Sequence, residues 1–494
     1  MPTFEKTVDF YLQDFPRTLF PLDTNKVLVE SFAPELGDFV YGKITHNKEA
    51  EHSFLPQTRA YAAKRDYHLR RTAKLDPVAE FFLYDLVYRN RSSFRKSPTA
   101  TRINFGYRFQ NGQPTSSIES FRSFKSAAHE ALKKHKHCAR FDISSYFNSI
   151  YHHDLVDWFS DVAKTEEDAL FFDKYLKQTN SGRSIDCLVH GIYPAKMIGS
   201  HFLSFVDNAS WISSELMLRF MDDFYLFSDS IDSIRSDFTG IQRLLGEKGL
   251  SINPSKTQLG EIVHLDIEKE VDDVKRNLLH RRTSFIAASG GELEGPEDED
   301  ERLGEEEIEY LMALLKSQQI EEEDAELVLS LMRDYGEDVL EYLPEFLEKF
   351  PNLSKNIFYF CEHIPDKEAI SALAADFIEK SKHITEYQLF WLAKLLDVRL
   401  LGTKRAADIV GGLYDHPNAT AISKAKLLEI ADKKYGLSDL REEHLRTGAS
   451  GWLSWSAAVG TRVEKKKSRN HILDYFANGS PMNDLIAKCV QKLP

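Results

Sequence analysis

Three carboxylates carry the chemistry that this sequence makes legible. Asp142 closes the alternating segment His137-Cys-Ala-Arg-Phe-Asp-Ile143, where Arg140 and Asp142 share one face while Phe141 and Ile143 share the other, the pattern of a strand half-buried on helices. Asp222 and Asp223 join two apolar runs in Leu216-Met-Leu-Arg-Phe-Met-Asp-Asp-Phe-Tyr-Leu-Phe-Ser228. That pattern predicts a β-hairpin with the acids near its tip, because Asp tolerates turn geometry and the flanks favour strands. Carboxylates on separate strands, Asp142 and Asp222, can converge on one sheet face and bind two divalent cations about 3.5 to 4 Å apart. Such a pair lowers the pKa of an attacking hydroxyl and neutralises charge on a leaving pyrophosphate. Mg²⁺ suits the task, with Mn²⁺ as a substitute, since it takes few protein carboxylates plus phosphate oxygens and water. A lone Asp is more often a surface turn residue, so the case rests on what surrounds these three.

The chain that must position them has 494 residues, 42% hydrophobic and 28% charged, enough for two or three cored domains and unlike a disordered or fibrous sequence. Cys138, Cys187, Cys361 and Cys489 are scattered without a C-x-x-C pair, which argues against a disulfide framework or a zinc site and fits a reducing compartment. The N-terminus lacks a basic run followed by an apolar stretch, and no apolar window of about 18 residues occurs, so a soluble cytoplasmic protein without a membrane partner is expected. The net charge of −14 would disfavour nucleic acid. It is unevenly spread, however: residues 51–140 hold 18 basic against 7 acidic residues, and 290–350 hold 4 against 22. A local basic zone is what phosphate binding needs, because screening makes distant charge count for little.

The stretch from Ser289 through Gly-Gly and Pro296 into a block of acids reads as a linker. The division expected is therefore 1–289, an acidic linker 290–306, and 307–494. In the last part Ile308, Leu311, Met312 and Leu315 repeat at helical spacing, and breaks at Asp334-Tyr-Gly336, Pro344, Pro351 and Pro365 suggest stacked short helices of the solenoid type.

Phe141-Asp142-Ile-Ser-Ser-Tyr-Phe147 and Phe220-Met-Asp222-Asp223 resemble the two metal-binding motifs of reverse transcriptases. In chain order, Asn104-Phe-Gly-Tyr-Arg108 resembles the finger element upstream of the first motif. Gly191-Ile-Tyr-Pro194, followed by Ser200, resembles the loop that supports template and incoming base, and Gly249-Leu-Ser-Ile-Asn253-Pro-Ser-Lys256 the motif whose lysine sits near the departing pyrophosphate. The resemblance implies an α+β fold of fingers and palm followed by an all-α, HEAT-like helical-repeat domain in place of a thumb. It implies metal ligation by Asp142, Asp222 and the Ile143 position, catalytic roles for Asp223 and Lys256, and nucleotide contacts from Ile143, Pro194 and Ser200. Phe147 falls where the family places an aromatic that crowds the sugar 2′ position. Lys64 and Arg71, seven apart in the basic zone, match a finger hairpin that clamps the triphosphate, with Arg59, Arg65 and Arg70 as competing candidates.

Two departures matter. Ala195-Lys196 replaces the usual Gln-Gly, and Phe220 replaces the usual tyrosine. With the helical C-terminal region, these features resemble the abortive-infection (Abi-type) reverse transcriptases of bacteria and prophages. That implies template-independent DNA synthesis from deoxynucleoside triphosphates, primed by a hydroxyl of the protein itself, with the single-stranded DNA product attached covalently, in a homo-oligomer that defends against phage. Tyr11 and Tyr41, on an N-terminal segment expected to be flexible, are the priming candidates. Arg462, Lys465, Lys466, Lys467 and Arg469 after Trp452 and Trp455 could track single-stranded DNA, or form a solvated face over a tryptophan core. A templated, retron-like enzyme and a non-catalytic nucleotide-binding scaffold are the alternatives.

Overall fold

The computed structural model describes residues 4–46, 52–95, 99–183, 188–264, 274–275, 278, 303–317 and 320–494. Cys187 and residues 290–302 of the expected linker lie outside the described residues.

The N-terminal part opens with helices α1 (Glu5–Asp14) and α2 (Asp23–Gly37) packed on α3 (Pro77–Arg89). The run Phe-Phe-Leu-Tyr-Asp-Leu-Val in α3 leaves no polar face, so its centre is buried all round. Asp76 caps this helix by accepting from the N–H groups of Val78 and Ala79, and Pro77 fits the first turn, where an N–H has no helical partner. Between α2 and α3, strands β1 (Thr58–Ala63) and β2 (Leu69–Lys74) pair as an antiparallel hairpin with no third strand among the described residues.

The central sheet is built from β3 (Arg102–Asn104), β6 (His137–Asp142), β7 (Leu216–Phe220), β8 (Asp223–Ser228) and β9 (Gln258–Glu261) in the order β3-β7-β8-β6-β9. A ribbon of β4 (Phe109–Gln110) and β5 (Gln113–Pro114) lies apart from it. The expected alternation decides the layers. Cys138, Leu218, Tyr225 and Phe227 meet Phe124, Ala128 and Ala131 of α4 (Ser117–Lys134) on one face. Phe141 and Phe224 stack at 5.1 Å on the other, against Phe238 of the helix Ile231–Gly246. Asn104, expected in a finger element, instead ends β3, an edge strand of this sheet that runs parallel to β7.

The C-terminal part is helical from Glu305 onward among the described residues and stacks in two rows. The inner row comprises the helices Ser354–Cys361, Glu386–Leu395, Ala421–Leu428, Trp452–Gly460 and Pro481–Lys492, each touching the next. Lys367–Lys380, Ala406–Asp415, Ser438–Arg446 and Lys466–Ala477 form the outer row. Thr385 and Thr420 start two inner helices by capping boxes. The inner row rests on α2 and on β1, and one apolar cluster runs from Phe10 to Val490. Trp452 and Trp455 belong to this core, Arg469 is buried under the last carbonyls of the chain, and Arg462 is tied to the carbonyls of Glu429 and Val459. Of the expected DNA-tracking set, only the lysines at 465–467 are left to face solvent. No helix among the described residues is long and apolar enough to cross a membrane.

Candidate active site

The register of the sheet brings the three acids together. Asp142 is the partner of Asp223 across β6 and β8, and Phe220 pairs with Asp223, which leaves Met221 and Asp222 as the two loop residues of the β7–β8 hairpin. A two-residue loop of this kind needs φ > 0 at its first position, and Met221 supplies it at +57°. The strained residue is thus the methionine, whereas the sequence pointed to an aspartate. Arg219, fully buried, holds this turn by donating to the carbonyls of Met221 and Ser200, both at 2.9 Å, while its remaining donors engage Asp207.

Asn253 N–H donates to the Asp142 carbonyl and Ser144 N–H to the Ser251 carbonyl, which flank the bridge between Ile143 and Ile252. In such a wide pair the carbonyl of Ile143 points away from Ile252, toward the β8 side where the hairpin tip lies. Its side chain is buried, so only the backbone of Ile143 is placed to serve a cation.

Charge in this cluster is poorly balanced. Burial, then the charge of Asp223, raises the Asp222 carboxyl to about 6. Asp223 is also raised, by burial and then by Asp142, against the pull of Arg140, Lys256 and Lys125. Lys256 donates to Asp142 Oδ2 at 2.8 Å, and this bond is the largest cause of its raised pKa. It sits on the short turn Pro254–Lys256 that Asn253 caps. Asp142 Oδ1 is buried and has no hydrogen-bond partner among the described residues. Leaving a carboxylate oxygen buried and unpaired costs on the order of 1–3 kcal/mol, so this site fits a divalent cation. A separate cluster, His135, Glu215 and Asp229, is the one set of three such side chains among the described residues whose ligand atoms all lie within 4.8 Å of one another. It lies at the opposite end of β8, roughly 20 Å along the strand from the acidic tip.

Phe147, 5% exposed, packs against His190 with ring centroids 4.4 Å apart and the planes tilted by 35°, and a Cβ on Gly199 would come within 3.1 Å of its ring. Substituting Gly199 would therefore move the ring. Burial, then the charges of Arg70, Lys196 and Lys64, pushes His190 down to about 3, which keeps it neutral and marks where those three cations converge. Lys64, at the end of β1, lies within electrostatic reach of Asp142, Asp222 and Lys256. Arg71, on β2, donates to Asn148 Oδ1 at 3.4 Å, beside Phe147. The hairpin thus brings Lys64 within electrostatic reach of the acids, with Arg70 toward His190 and Arg71 on Asn148. Arg70 and His190 were not separable from their neighbours in the sequence, because facing depends on register.

Other expectations need correction. Ser200 is fully buried and bonded to Asn104, and Pro194 begins the helix Tyr193–Phe202 in the core. Both lie in the protein interior. Tyr11 is fully buried in α1, with its pKa raised well above 10 by burial and Glu80. Tyr41 donates to Asp85 at 2.5 Å and accepts from Arg89 at 3.1 Å, and burial raises its pKa as well. The N-terminal segment is packed helix, so neither hydroxyl is on a flexible tether, and neither is poised as a nucleophile.

Residues 99–311 match the family model described as reverse transcriptase (RNA-dependent DNA polymerase). The chain carries a reverse transcriptase domain and is a nucleotidyltransferase of that kind, with an α+β reverse-transcriptase-like fold followed by a helical region. Similar solved structures include apo telomerase from Candida tropicalis, at 12% identity over 78% of this chain and 73% of that one, TM-score 0.31. Telomerase from Candida albicans with a TWJ fragment of telomeric RNA matches at 11% identity over 74% and 70%, TM-score 0.32. The Candida tropicalis enzyme with that fragment matches at 13% over 74% and 64%, TM-score 0.33. No curated protein matches the chain.

Proposed function

We propose that the chain is a Mg²⁺-dependent DNA polymerase that adds deoxynucleotides without a template to a hydroxyl of the protein itself, in antiphage abortive-infection defence. The single observation that carries the catalytic part is the buried, unpartnered Oδ1 of Asp142 beside two further carboxylates of raised pKa. On this reading Asp142, Asp222 and the Ile143 carbonyl hold the divalent cations, and Asp223 shapes their field. The cations, when bound, activate the attacking hydroxyl and neutralise the triphosphate.

The residues of the chain supply the rest. Lys64 and Arg71 grip the triphosphate, as a point charge and a fork. Phe147 excludes a ribose 2′-hydroxyl by its bulk. The hydroxyl oxygen bonds to the α-phosphorus as the bond to pyrophosphate breaks, and Lys256 offers positive charge, or its proton, to that leaving group. Lys196 supports the template-independent part: it stands where the family's glycine lets the backbone approach, and its ammonium lies 5.2 Å from the Tyr107 ring centroid. The division into a reverse transcriptase part (1–289), a linker (290–306) and a helical part (307–494), a homo-oligomeric state and a cytoplasmic bacterial location belong to the same reading.

The test is to incubate the purified protein with Mg²⁺ and labelled deoxynucleotides, without template or primer, and run it on a denaturing gel before and after protease. Label that migrates with the protein and is released as DNA by protease is the expected result. Synthesis only with added RNA template and primer would replace this reading with the templated one.

A further inference from the structure

The β1–β2 hairpin that carries Lys64, Arg70 and Arg71 has no third strand among the described residues, and an isolated two-stranded hairpin is marginal in water. Its order comes from the helical region, which touches it from base to tip. At the base, Trp452 Nε1–H donates to Thr58 Oγ1 at 2.9 Å. In the middle, Tyr61 N–H donates to Glu386 Oε2 at 2.7 Å, and Tyr61 is the register partner of Arg71. At the tip, the Tyr67 hydroxyl donates to the Glu348 carbonyl, and Arg65 lies 3.9 Å from Glu322. The tip is strained: Asp66 and Tyr67 have φ of +55° and +58°. Consecutive non-glycine residues in the left-handed region persist only where the surroundings hold them.

On its other side the hairpin meets the reverse transcriptase core. Arg71 donates to Asn148, and His190 N–H donates to Thr72 Oγ1 at 3.1 Å. The hairpin is therefore fixed between two bodies, and its cations need no ordering when a triphosphate arrives. Glu386 is the junction of this arrangement. It is 8% exposed at the start of the inner-row helix Glu386–Leu395, and its second oxygen accepts from Thr420 of the next inner helix at 2.5 Å.

We infer that the helical region sets the position of the triphosphate clamp, with Glu386 as the positioning residue that ties β1 to two successive helices of the inner row. The inference rests on the reading of Lys64 and Arg71 as triphosphate ligands. The helical region is then part of the nucleotide site by what it holds, and affinity for deoxynucleotide depends on a residue remote from the acids.

The test compares full-length wild type, Glu386→Ala, Glu386→Gln and, as a remote control, Arg405→Ala, whose partners Asp376 and Asp408 lie on the outer row. Amide hydrogen exchange is followed over residues 58–74, and dTTP affinity is measured with Ca²⁺ so that no transfer is needed. Glu386→Ala should speed exchange in the hairpin and weaken dTTP about tenfold, the size expected when a hydrogen bond to a buried carboxylate is lost. Incorporation assays should place the loss in KM with kcat little changed. Glu386→Gln should restore both readouts, since its amide oxygen can accept from Tyr61 and its NH₂ can donate to Thr420. Unchanged exchange in Glu386→Ala, or faster exchange with wild-type dTTP affinity, overturns the inference and leaves the polymerase reading intact. Failure of the wild type itself to bind dTTP would instead defeat that reading, and this inference with it.

Discussion

Two groups of three carboxylates sit in this chain under opposite terms. Asp23, Asp397 and Glu429, where α2 meets the helical region, surround the fully buried Lys426, whose ammonium lies 3.1, 2.8 and 2.8 Å from them. Lys394 and Arg462 stand 3.9 Å from Asp23, and Glu429 also accepts the N–H groups of Asp23 and Thr24 at the start of α2. Burial works against ionised Asp23, yet Lys426 and then Lys394 hold its carboxyl well below the usual range. Asp142, Asp222 and Asp223 have one bonded cation, Lys256, whose side chain is 67% exposed and which engages a single oxygen. Acids whose partners are built into the fold are architecture, and acids left with negative charge to spare are the ones we propose as the cation site. Carboxylate number alone does not distinguish the two groups.

The largest effect that sharpens this contrast is on activity. Asp222→Asn should lower deoxynucleotide incorporation by at least about 10³-fold, because it removes a cation ligand without changing volume. Stability should move the other way. The folded Asp222 carboxyl, raised to about 6, binds a proton more readily than the unfolded one, so its ionised form costs stability above that pH and the cost fades as pH drops toward 4. Metal-free Asp222→Asn should thus be more stable than wild type at pH 7.5, by up to about 2 kcal/mol, and nearly equal to it at pH 4; urea unfolding in EDTA at the two pH values checks this.

In the structural group, Lys426→Met should cost about 3–5 kcal/mol, since it leaves the fully buried Glu429 and the half-buried Asp23 and Asp397 without their central cation. A denaturation midpoint close to that of wild type would break the contrast. Phe147→Ala should raise the ratio of ribonucleotide to deoxynucleotide incorporation at least about tenfold, as competition between the two labelled substrates would reveal. Lys256→Met should be milder for the fold than Lys426→Met, about 1 kcal/mol because the lysine end of its ion pair is largely exposed, with an incorporation loss of about tenfold. An equal unfolding cost for the two lysine variants would show the groups to be alike.

The cluster of Asp142, Asp222 and Asp223 was legible because strand alternation and a two-residue hairpin loop fix facing and proximity from local sequence. The inner row of helices was legible only as a row of breaks, since which helix touches which depends on long-range packing. The Lys426 group escaped the sequence for the same reason: its members come from positions 23, 394, 397, 426, 429 and 462, and no local period links them. Ser200 and Tyr11 were misplaced because residue type and motif position say nothing about which side of a wall a side chain occupies. The tip strain fell on Met221, where hairpin geometry outweighs the preference of aspartate for turns.

The most direct test of the central claim is a Mn²⁺ titration followed by electron paramagnetic resonance, in the presence of dTTP, on wild type, Asp222→Asn and His135→Ala. Two tightly bound ions are expected in wild type and in His135→Ala, with loss of that binding in Asp222→Asn. Binding unchanged by Asp222→Asn but removed by His135→Ala would contradict it, since the metal would then sit at the opposite end of β8 from the acids that the sequence singles out.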